Sequence, residues 1–365
     1  MSGAEIHSTA TSETVALCLV THGSGAEIEG WMEAVGELTY RPLELVIVDC
    51  AGGDDALDQA RQLAPFVLPG VDAKLLPLEE NLGWGGGMNA AIAATRAPWV
   101  LALNPDARPE PDFIERLLER AHQHPQASIA ALTGRLLRPP EGAGDPRRLD
   151  ACGMRLTPTW RHLDRGSSEP DEGQFNTPQR VFGATGAAAL YNREALLDVA
   201  VDGDVFDPLF HMYREDAEIC FRFQSRGWTV LYEPSARCTH GRVNLPELRQ
   251  AMAPEINYHS LKNRYLIRAY HQSPGNWIKT LIPALFRDLA ALVYVLLRER
   301  TSLPAYSWLW SQRDEILRRR RWIRRHRKAP DRELDRWFFR DALSIPEVQE
   351  ALPERRDAPP EDRER

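Results

Sequence analysis

Two apolar runs near the start of the chain constrain its fold more than any other feature. Residues 15–20 are all apolar, and residues 43–48 hold five apolar side chains before Asp49. Runs of this kind are typical of strands buried on both faces, as in parallel sheets covered by helices. Residues 27–38, which lie between the two runs, have helical spacing. This part of the chain therefore predicts a strand–helix–strand unit.

The same alternation of strand and helix continues along the chain. It predicts further strands at residues 74–78, 99–104, 128–132, 181–191 and 228–232. Successive parallel strands need right-handed crossovers, so a doubly wound, mostly parallel α/β sheet is the expected fold class. The sequence then becomes helical, with predicted helices at residues 256–270, 277–297 and 306–327.

Composition restricts the class of protein. A chain of 365 residues with 43% hydrophobic content can bury a large core, and a net charge of −7 argues against a general nucleic-acid binder. The first dozen residues lack an apolar segment, so we expect no signal peptide and a cytosolic protein. Scattered cysteines without a C-x-x-C pair predict buried thiols: Cys18, Cys50, Cys152, Cys220 and Cys238.

Changes in composition suggest the domain boundaries. Residues 138–180 are rich in proline, glycine and charge, and a structureless loop of that length is often functional, so we expect a mobile insertion near the site. The expected organisation is a disordered tail at 1–13, an α/β domain at 14–245, a helical region at 246–345 and a disordered tail at 346–365.

A glycine cluster joins the third predicted strand to an alanine-rich helix. Residues 81–89 read Asn-Leu-Gly-Trp-Gly-Gly-Gly-Met-Asn. Glycines let backbone amides approach a ligand closely, so such a loop suits an anionic, phosphorylated molecule. The segment lacks the Gly-Lys-Ser/Thr of a P-loop, although residues 85–90 fit a loose G-x-G-x-x-A dinucleotide pattern. A flexible linker before a helix is the alternative that needs no ligand.

Two residues are candidate metal ligands. Asp106 ends the fourth strand in the sequence Asn104-Pro-Asp, and open α/β sheets bind ligands at the carboxyl ends of their strands. A carboxylate there suits Mg²⁺ or Mn²⁺ shared with ligand phosphates. His240 follows a later strand, and its nitrogen would favour Mn²⁺. The alternatives are a helix-capping turn and an ordinary loop histidine.

Two adjacent acids, Glu215 and Asp216, open another predicted helix. Arg222 lies two turns further on the Glu215 face, so we expect those two side chains to pair and Asp216 to be the freer carboxylate. A free carboxylate near a cleft is a candidate general base. Stabilisation of the helix dipole is the alternative.

In this order the segments resemble the inverting family-2 glycosyltransferases, in the branch that holds bacterial rhamnosyltransferases. The resemblance covers about residues 15–242. It rests on Leu19-Val-Thr21, Ile47-Val-Asp49, residues 81–89, Leu103-Asn-Pro-Asp106, Gly183-Ala-Thr-Gly-Ala-Ala188, residues 206–222, Gly227, Pro234 and His240.

The resemblance implies a GT-A fold, with a mixed, mostly parallel sheet and an appended C-terminal helical region. It implies Asp216 as catalytic base and Asp106 with His240 at the metal. Positions matching the donor site are Thr21, Asp49, Asn81, Gly83, Gly87, Asn89, Asn104 and Arg222. The family usually has Tyr-Asn where this chain has His22-Gly23, and Asp-Asn where it has Asp49-Cys50. Both positions touch the nucleoside pocket, so the resemblance predicts the reaction better than it predicts the base of the donor.

The implied reaction transfers a sugar, with inversion, to a growing bacterial surface glycan on a polyprenyl lipid. The expected donor is a dTDP- or UDP-sugar carrying rhamnose or another deoxyhexose, with Mg²⁺ or Mn²⁺ as cofactor. The alternatives are a UDP-hexose transferase of the same fold, a nicotinamide-dependent oxidoreductase and an inactive sugar-nucleotide-binding scaffold.

The C-terminal helices suggest a contact with a membrane. Residues 277–297 are nearly long enough to cross a bilayer, but three charges and a proline interrupt them, and charges are costly there. We expect this helix to lie in the membrane plane, with a bundle or homodimer interface as alternatives. The basic residues 318–328 would attract anionic lipid, unless they form a plain solvated face. The expected location is cytoplasmic, peripheral at the inner face of the plasma membrane.

Overall fold

The computed structural model describes residues 13–140, 142, 146–242 and 252–345. Within these residues the central element is an eleven-stranded mixed sheet, and a separate hairpin of two short strands accompanies it. The expected disordered tails lie almost entirely outside the described residues, as does the expected boundary between residues 245 and 246.

The first half of the sheet is parallel, because each crossover is a helix. Its strands stand in the order β3-β2-β1-β4, and β1 and β4 are buried along their whole length. The elements are β1 (Val15–Thr21), α1 (Gly25–Gly36), β2 (Leu43–Cys50), α2 (Ala56–Val67), β3 (Ala73–Leu78), α3 (Gly83–Ala93) and β4 (Trp99–Leu103). The predicted strands of this half are confirmed.

The second half makes the sheet mixed. Its elements are β5 (Ala107–Pro109), α4 (Phe113–His122), β6 (Ile129–Leu137), β7 (Leu149–Ala151), β8 (Met154–Leu156), β9 (His162–Asp164), β10 (Gln179–Val181), β11 (Ala188–Asn192), α5 (Arg193–Val199), α6 (Glu215–Arg226) and β12 (Thr229–His240). Strand β11 runs antiparallel to both β4 and β6, whereas β12 runs parallel to β6. The expected mixed, mostly parallel α/β fold is confirmed.

Two expectations for this half need correction. The segment 138–180 is not structureless in its described part, because it forms β7, β8, β9 and the start of β10, and β7 pairs with β6. Leu149 and Asp150 within it are fully buried. The last strand is also longer than predicted, since β12 continues to His240 across an irregularity between Glu233 and Arg237.

The C-terminal region packs into the same fold. It contains α7 (Pro254–His271), α8 (Pro274–Arg298), α9 (Pro304–Ser311), α10 (Arg313–Arg325), α11 (Asp331–Asp335) and β13 (Ala342–Leu343). The third predicted helix is therefore two helices. Strand β13 pairs with β10 at the edge of the main sheet, and the fully buried Trp337 packs edge-on against Phe182.

Sequence signals account for the ends of two important helices. Gly227 ends α6 with φ +87°, the left-handed conformation that favours glycine at a helix C-terminus. Ser273 begins α8 with a reciprocal capping box, in which its hydroxyl accepts from the amide of Asn276 and the Asn276 side chain accepts from the amide of Ser273.

The glycine cluster forms the first turns of α3 and not a loop, which corrects the prediction. Gly83 has φ +70°, and a Cβ atom there would lie 1.9 Å from the carbonyl oxygen of His211. A Cβ on Gly87 would lie 2.5 Å from Val20 Cγ1. These glycines therefore let α3 approach both β1 and the chain segment that precedes α6.

We predict that Gly83→Ala destabilises the protein far more than Gly53→Ala. Both glycines have φ +70°, but nothing lies within 4 Å of a Cβ on Gly53. In Gly53→Ala, the control, the free energy of unfolding should fall only by the cost of the left-handed conformation, about 1–2 kcal/mol. In Gly83→Ala the backbone clash should make the free energy of unfolding fall by at least about 3 kcal/mol. Urea unfolding followed by circular dichroism measures both, and equal losses would contradict the close approach.

Candidate active site

The ends of β1 and β2 bring Thr21 and Asp49 together. The two residues are opposite each other in the parallel register, and Thr21 Oγ1 donates a hydrogen bond of 2.8 Å to Asp49 Oδ1. The other carboxylate oxygen of Asp49 accepts from the amide of Gly52 at 3.1 Å. Thr21 is fully buried, so it orients Asp49, which alone of the two keeps exposed surface.

The two departures from the family motifs contact each other. His22 Nδ1 lies 2.7 Å from the carbonyl oxygen of Cys50, and because a carbonyl only accepts, Nδ1 carries the proton. His22 Nε2 then accepts from Asn81 Nδ2 at 3.2 Å, and Asn81 Oδ1 accepts from the amide of Gly83 at 2.9 Å. One chain of hydrogen bonds therefore joins the ends of β1 and β2 to the N-terminus of α3.

Gly87 and Asn89 face the protein, which corrects their expected contact with the donor. Gly87 lies on the buried side of α3, against β1. The Asn89 side chain binds the backbone of Phe206 twice, since it donates to the carbonyl and accepts from the amide, both at 2.8 Å. Both residues position α3.

The candidate metal ligands meet where β5 pairs with β12. Asp106 precedes β5, and Ala107 lies opposite His240 in the register. Asp106 Oδ1 is 3.2 Å from His240 Nε2, while His240 Nδ1 is 2.7 Å from Asp150 Oδ2. Burial alone would lower the pKa of His240, but its hydrogen bonds to the two carboxylates outweigh burial and raise the pKa to about 9.

This arrangement fits a divalent cation, which would displace the proton that His240 Nε2 holds toward Asp106. Asp150 is fully buried and engages Nδ1 of His240, so Nε2 is the nitrogen that faces Asp106. A carboxylate behind a ligating imidazole in this way fixes its orientation and increases its basicity. Asp106 keeps about a quarter of its side-chain surface exposed. Oxygen and nitrogen donors together suit Mn²⁺, and an oxygen donor suits Mg²⁺.

Sequence reasoning missed the charges that surround this pair. Arg242 NH1 lies 3.4 Å from Asp150 Oδ1, and its NH2 forms a close ion pair with Asp164. Burial opposes the charge of Arg242, but the two acids, Asp164 first, outweigh burial and raise its pKa. Asp150 and Asp164 belong to the segment expected to be structureless, so no periodic pattern marked them.

Asp216 lies at the N-terminus of α6 with both carboxylate oxygens held by amides. Oδ2 accepts from Gly186 at 3.1 Å and Oδ1 from Ala217 at 2.8 Å. Burial is the main reason that the pKa of Asp216 is raised, and the charge of Asp164 raises it further. Burial, followed by the charge of Asp216, raises the pKa of Glu215 to about 8. Of the two adjacent acids, Glu215 is the one whose protonated form is further favoured by the charge of its neighbour.

The expected pairing of Glu215 with Arg222 is wrong. Arg222 instead forms a buried ion pair with Glu218, one turn away, at 2.7 Å, and its guanidinium also donates to the carbonyls of Val199 and Val205, both at 2.6 Å. Burial alone would raise the pKa of Glu218, but Arg222 outweighs it and the pKa falls to about 2. Arg222 is 2% exposed and is a core residue, not a donor-binding one.

One dipeptide links the two candidate acids. The amide of Gly186 binds Asp216, as described above, and the carbonyl of Ala187 accepts from the amide of Asn104 at 2.9 Å. Asn104 in turn accepts from the amide of Ala107 at 3.0 Å, which closes the turn that contains Asp106. Asp216 and Asp106 therefore lie at the same end of the sheet, on either side of this dipeptide.

The chain that leads to Asp216 is strained and is held by α7. His211, Tyr213 and Arg214 all have positive φ, at 61°, 64° and 75°, a conformation that costs non-glycine residues about 1–3 kcal/mol each and is often found at functional sites. Asn263 Nδ2 contacts the carbonyls of residues 210, 212 and 213 at 3.0, 2.8 and 2.7 Å. A helix of the C-terminal region thus sets the position of the candidate base.

Comparison with known proteins identifies the family of this chain. The model described as glycosyl transferase family 2 matches residues 17–199, half of the chain. The protein therefore belongs to glycosyl transferase family 2. The match includes Asp49 and Asp106 and ends before Asp216 and His240.

Relatives of this chain synthesise bacterial glycans. The N-acetylglucosaminyl-diphospho-decaprenol L-rhamnosyltransferase of Mycobacterium tuberculosis (strain CDC 1551 / Oshkosh) is 27% identical over 251 residues, which cover 64% of this chain and 78% of the relative. The poly-beta-1,6-N-acetyl-D-glucosamine synthase of Staphylococcus aureus (strain COL) is 24% identical over 232 residues, 62% of this chain and 49% of the relative.

Two solved structures share the fold. GalNAc-T7 with UDP, GalNAc and Mn²⁺ matches with a TM-score of 0.54 and 15% identity, over 72% of this chain and 48% of that one, so this chain spans about half its length. The mannosyltransferase PcManGT from Pyrobaculum calidifontis, with GDP-Man and Mn²⁺, matches with a TM-score of 0.51 and 18% identity. The match covers 87% of this chain and 85% of that one. The expected GT-A fold is confirmed.

Proposed function

We propose that this protein is a metal-dependent, inverting glycosyltransferase with Asp216 as its base. The observation that carries the proposal is the dipeptide 186–187, which places Asp216 beside the strand end that holds Asp106 and His240. A general base and a site for a leaving diphosphate must flank the sugar in a single displacement, and this arrangement supports such a placement.

The donor would lie along the ends of β1, β2 and α3. Asp49 and Asn81 are candidates for contact with the nucleoside, with Thr21 and His22 orienting them. The N-terminus of α3, at Gly83, directs amide groups and a positive partial charge toward a diphosphate. Asp106 and His240 would hold Mg²⁺ or Mn²⁺, which when bound neutralises charge on the phosphates.

In the proposed reaction Asp216 takes the proton of an acceptor hydroxyl. The oxygen then bonds to the anomeric carbon from the face opposite the nucleotide, the bond to the diphosphate breaks, and the configuration inverts. The amides of Gly186 and Ala217 hold the carboxylate in place. Its raised pKa makes it a stronger base, since a general base works best when its pKa lies near the operating pH.

The activity in the name of the Mycobacterium relative supports a substrate class. That protein is an L-rhamnosyltransferase acting on a diphospho-decaprenol acceptor, so we propose a deoxyhexose such as rhamnose, carried by dTDP or UDP, and a polyprenyl-linked surface glycan as acceptor. A UDP-hexose is the second candidate donor, because GalNAc-T7 was solved with UDP. The glycines of the dinucleotide-like pattern lie inside α3, which gives no support to a nicotinamide enzyme.

Asp216→Asn should lower kcat by roughly 10²–10⁴-fold, the usual contribution of a general base. Donor affinity should remain near that of the wild type, because the amide keeps the volume of the carboxylate. Glu215→Gln is the matched comparison, since it changes the neighbouring carboxyl, which is not the proposed base, and should retain most activity. Radiolabelled sugar transfer and calorimetry with nucleotide measure the two effects, and an active Asp216→Asn enzyme would end the assignment.

Asp106→Ala should weaken donor binding only when Mn²⁺ is present. Removal of one carboxylate ligand leaves the nucleoside contacts at Asp49 intact, so calorimetry without metal should give the wild-type affinity. The exposed Asp72 provides a matched control as Asp72→Asn. An Asp106→Ala protein with the same Mn²⁺-dependent increase as the wild type would place the metal elsewhere.

We also propose that α8 rests on the inner surface of the plasma membrane, on the cytoplasmic side. By length and composition α8 could cross a bilayer, and its apolar residues Ile282 and Phe286 are 69% and 71% exposed. Asp288, in its middle, pairs with Arg264 at 2.7 Å and closely with Arg268 on α7. These ion pairs hold α8 along the protein body, which favours a helix lying in the plane of the lipid.

The basic segment, residues 318–328 in and just after α10, is only partly available for lipid. Arg319 pairs with Asp207 at 3.2 Å and is 6% exposed, and Arg320 donates to the carbonyl of Gln272 at 2.6 Å. Four arginines of this segment stay exposed, and one of them, Arg318, is paired with Asp202 and Glu315, both at 2.6 Å. The other three are Arg321, Arg324 and Arg325. These three supply the positive charge that we assign to anionic head groups.

Replacing Ile282 and Phe286 together by glutamate should release the protein from liposomes containing anionic lipid. In the proposed contact both side chains are buried in the lipid. Their loss costs about 3 kcal/mol or more of binding free energy, roughly a 100-fold drop in partitioning. Phe66→Glu is the control, because Phe66 is 83% exposed on α2, far along the chain from α8. Unchanged flotation would overturn the membrane contact, and a dimer dissociated by the double variant would assign the face to a second copy.

A further inference from the structure

A second group of metal-binding side chains lies on α7 and the strained segment before α6. The candidate ligand atoms of His211, Glu255 and His259 all lie within 4.8 Å of one another. The two imidazole rings are 5.1 Å apart, centroid to centroid, and are tilted by 32°. Glu255 and His259 are four residues apart on α7, so they project from the same face of the helix.

We propose that His211, Glu255 and His259 form an accessory zinc site that fastens α7 to the segment carrying the catalytic base. Two imidazoles and one carboxylate form the three-ligand set found in open zinc sites, whose fourth position is taken by water or another ligand. The site is distinct from the pair Asp106 and His240 in every ligand. It extends the proposed function without depending on it.

One buried atom supports a ligand here independently of the geometry. His259 is 9% exposed, and its Nδ1 has no hydrogen-bond partner in the described part of the chain. A buried polar atom without a partner costs about 1–3 kcal/mol. Coordination to a metal would satisfy that atom, which gives a reason for a histidine at this place in α7.

The protonation states also suit coordination, which requires neutral imidazole. Burial lowers the pKa of His259 to about 4, with Lys262 lowering it further. Burial and Lys262 also lower the pKa of His211. The ammonium group of Lys262 is itself occupied, since it donates to the carbonyl of Leu209 at 2.6 Å. The carboxylate of Glu255 would contribute negative charge to a bound cation.

A metal at this position would reinforce the clamp on the strained segment. Asn263 already holds the carbonyls of residues 212 and 213, and His211 begins the run of positive φ values. A bond from His211 to a metal shared with α7 would fix the start of that run. Zinc would therefore stabilise the protein and leave the affinity for the nucleotide with Mn²⁺ unchanged.

The test uses the full chain stripped of metal with a chelator and then titrated with Zn²⁺, or with Co²⁺ as a spectroscopic probe. The wild type and Asp106→Ala should each bind one Zn²⁺, show the visible absorption of four-coordinate Co²⁺, and gain thermal stability with Zn²⁺. His259→Ala and Glu255→Gln should lose at least the roughly 10–100-fold in Zn²⁺ affinity that loss of an outer-shell partner alone costs.

The controls separate this site from general metal binding and from misfolding. Glu255 is exposed, so Glu255→Gln keeps the fold and decides the question if His259→Ala does not fold. Glu29→Gln replaces an exposed helical glutamate on α1 and should bind Zn²⁺ like the wild type. Wild-type affinity in Glu255→Gln, absence of Zn²⁺ binding in the wild type, or its loss in Asp106→Ala would each overturn the proposal.

Discussion

The site depends on one buried carboxylate, Asp150, and on the cations that compensate it. A charged group without solvent is very costly unless it is paired and hydrogen-bonded. Here His240 at 2.7 Å and Arg242 at 3.4 Å supply that compensation. The requirement draws the segment that contains β7 against the end of β12 and leaves the other nitrogen of His240 facing Asp106. The same pairing thus orders an irregular stretch of chain and orients a ligand for a cation.

The C-terminal region packs against the segment that carries the proposed base. Strand β13 extends the main sheet beside β10, and α7 holds the strained residues before Asp216 through Asn263. The energy stored in three left-handed residues must be repaid by contacts elsewhere, and α7 supplies them. A family-2 domain cut after β12 would therefore lack the support of its own base.

The strands and the strand-end residues could be predicted from sequence because each is marked by a local pattern. Apolar runs located β1, β2 and β4. The end of the β2 run located Asp49, and the end of the β4 run located Asp106. The pairing of Arg222 with Glu218 follows the i,i+4 spacing that brings side chains together on a helix, whereas Glu215 lies two turns away on the same face. Asp150 and His211 lie in segments without periodicity, and their partners are distant in sequence, so only tertiary structure brings them together.

Helix α7 also connects two surfaces that serve different purposes. Its Arg264 and Arg268 are tied to Asp288 on α8, while Asn263 next to them is tied to the backbone before Asp216. Because α7 is a continuous helix over this length, the proposed seating of α8 in a bilayer would fix the height of the proposed base, Asp216, above the head groups. Such a geometry would act as a ruler, serving only those hydroxyls that a lipid-borne glycan presents at that height.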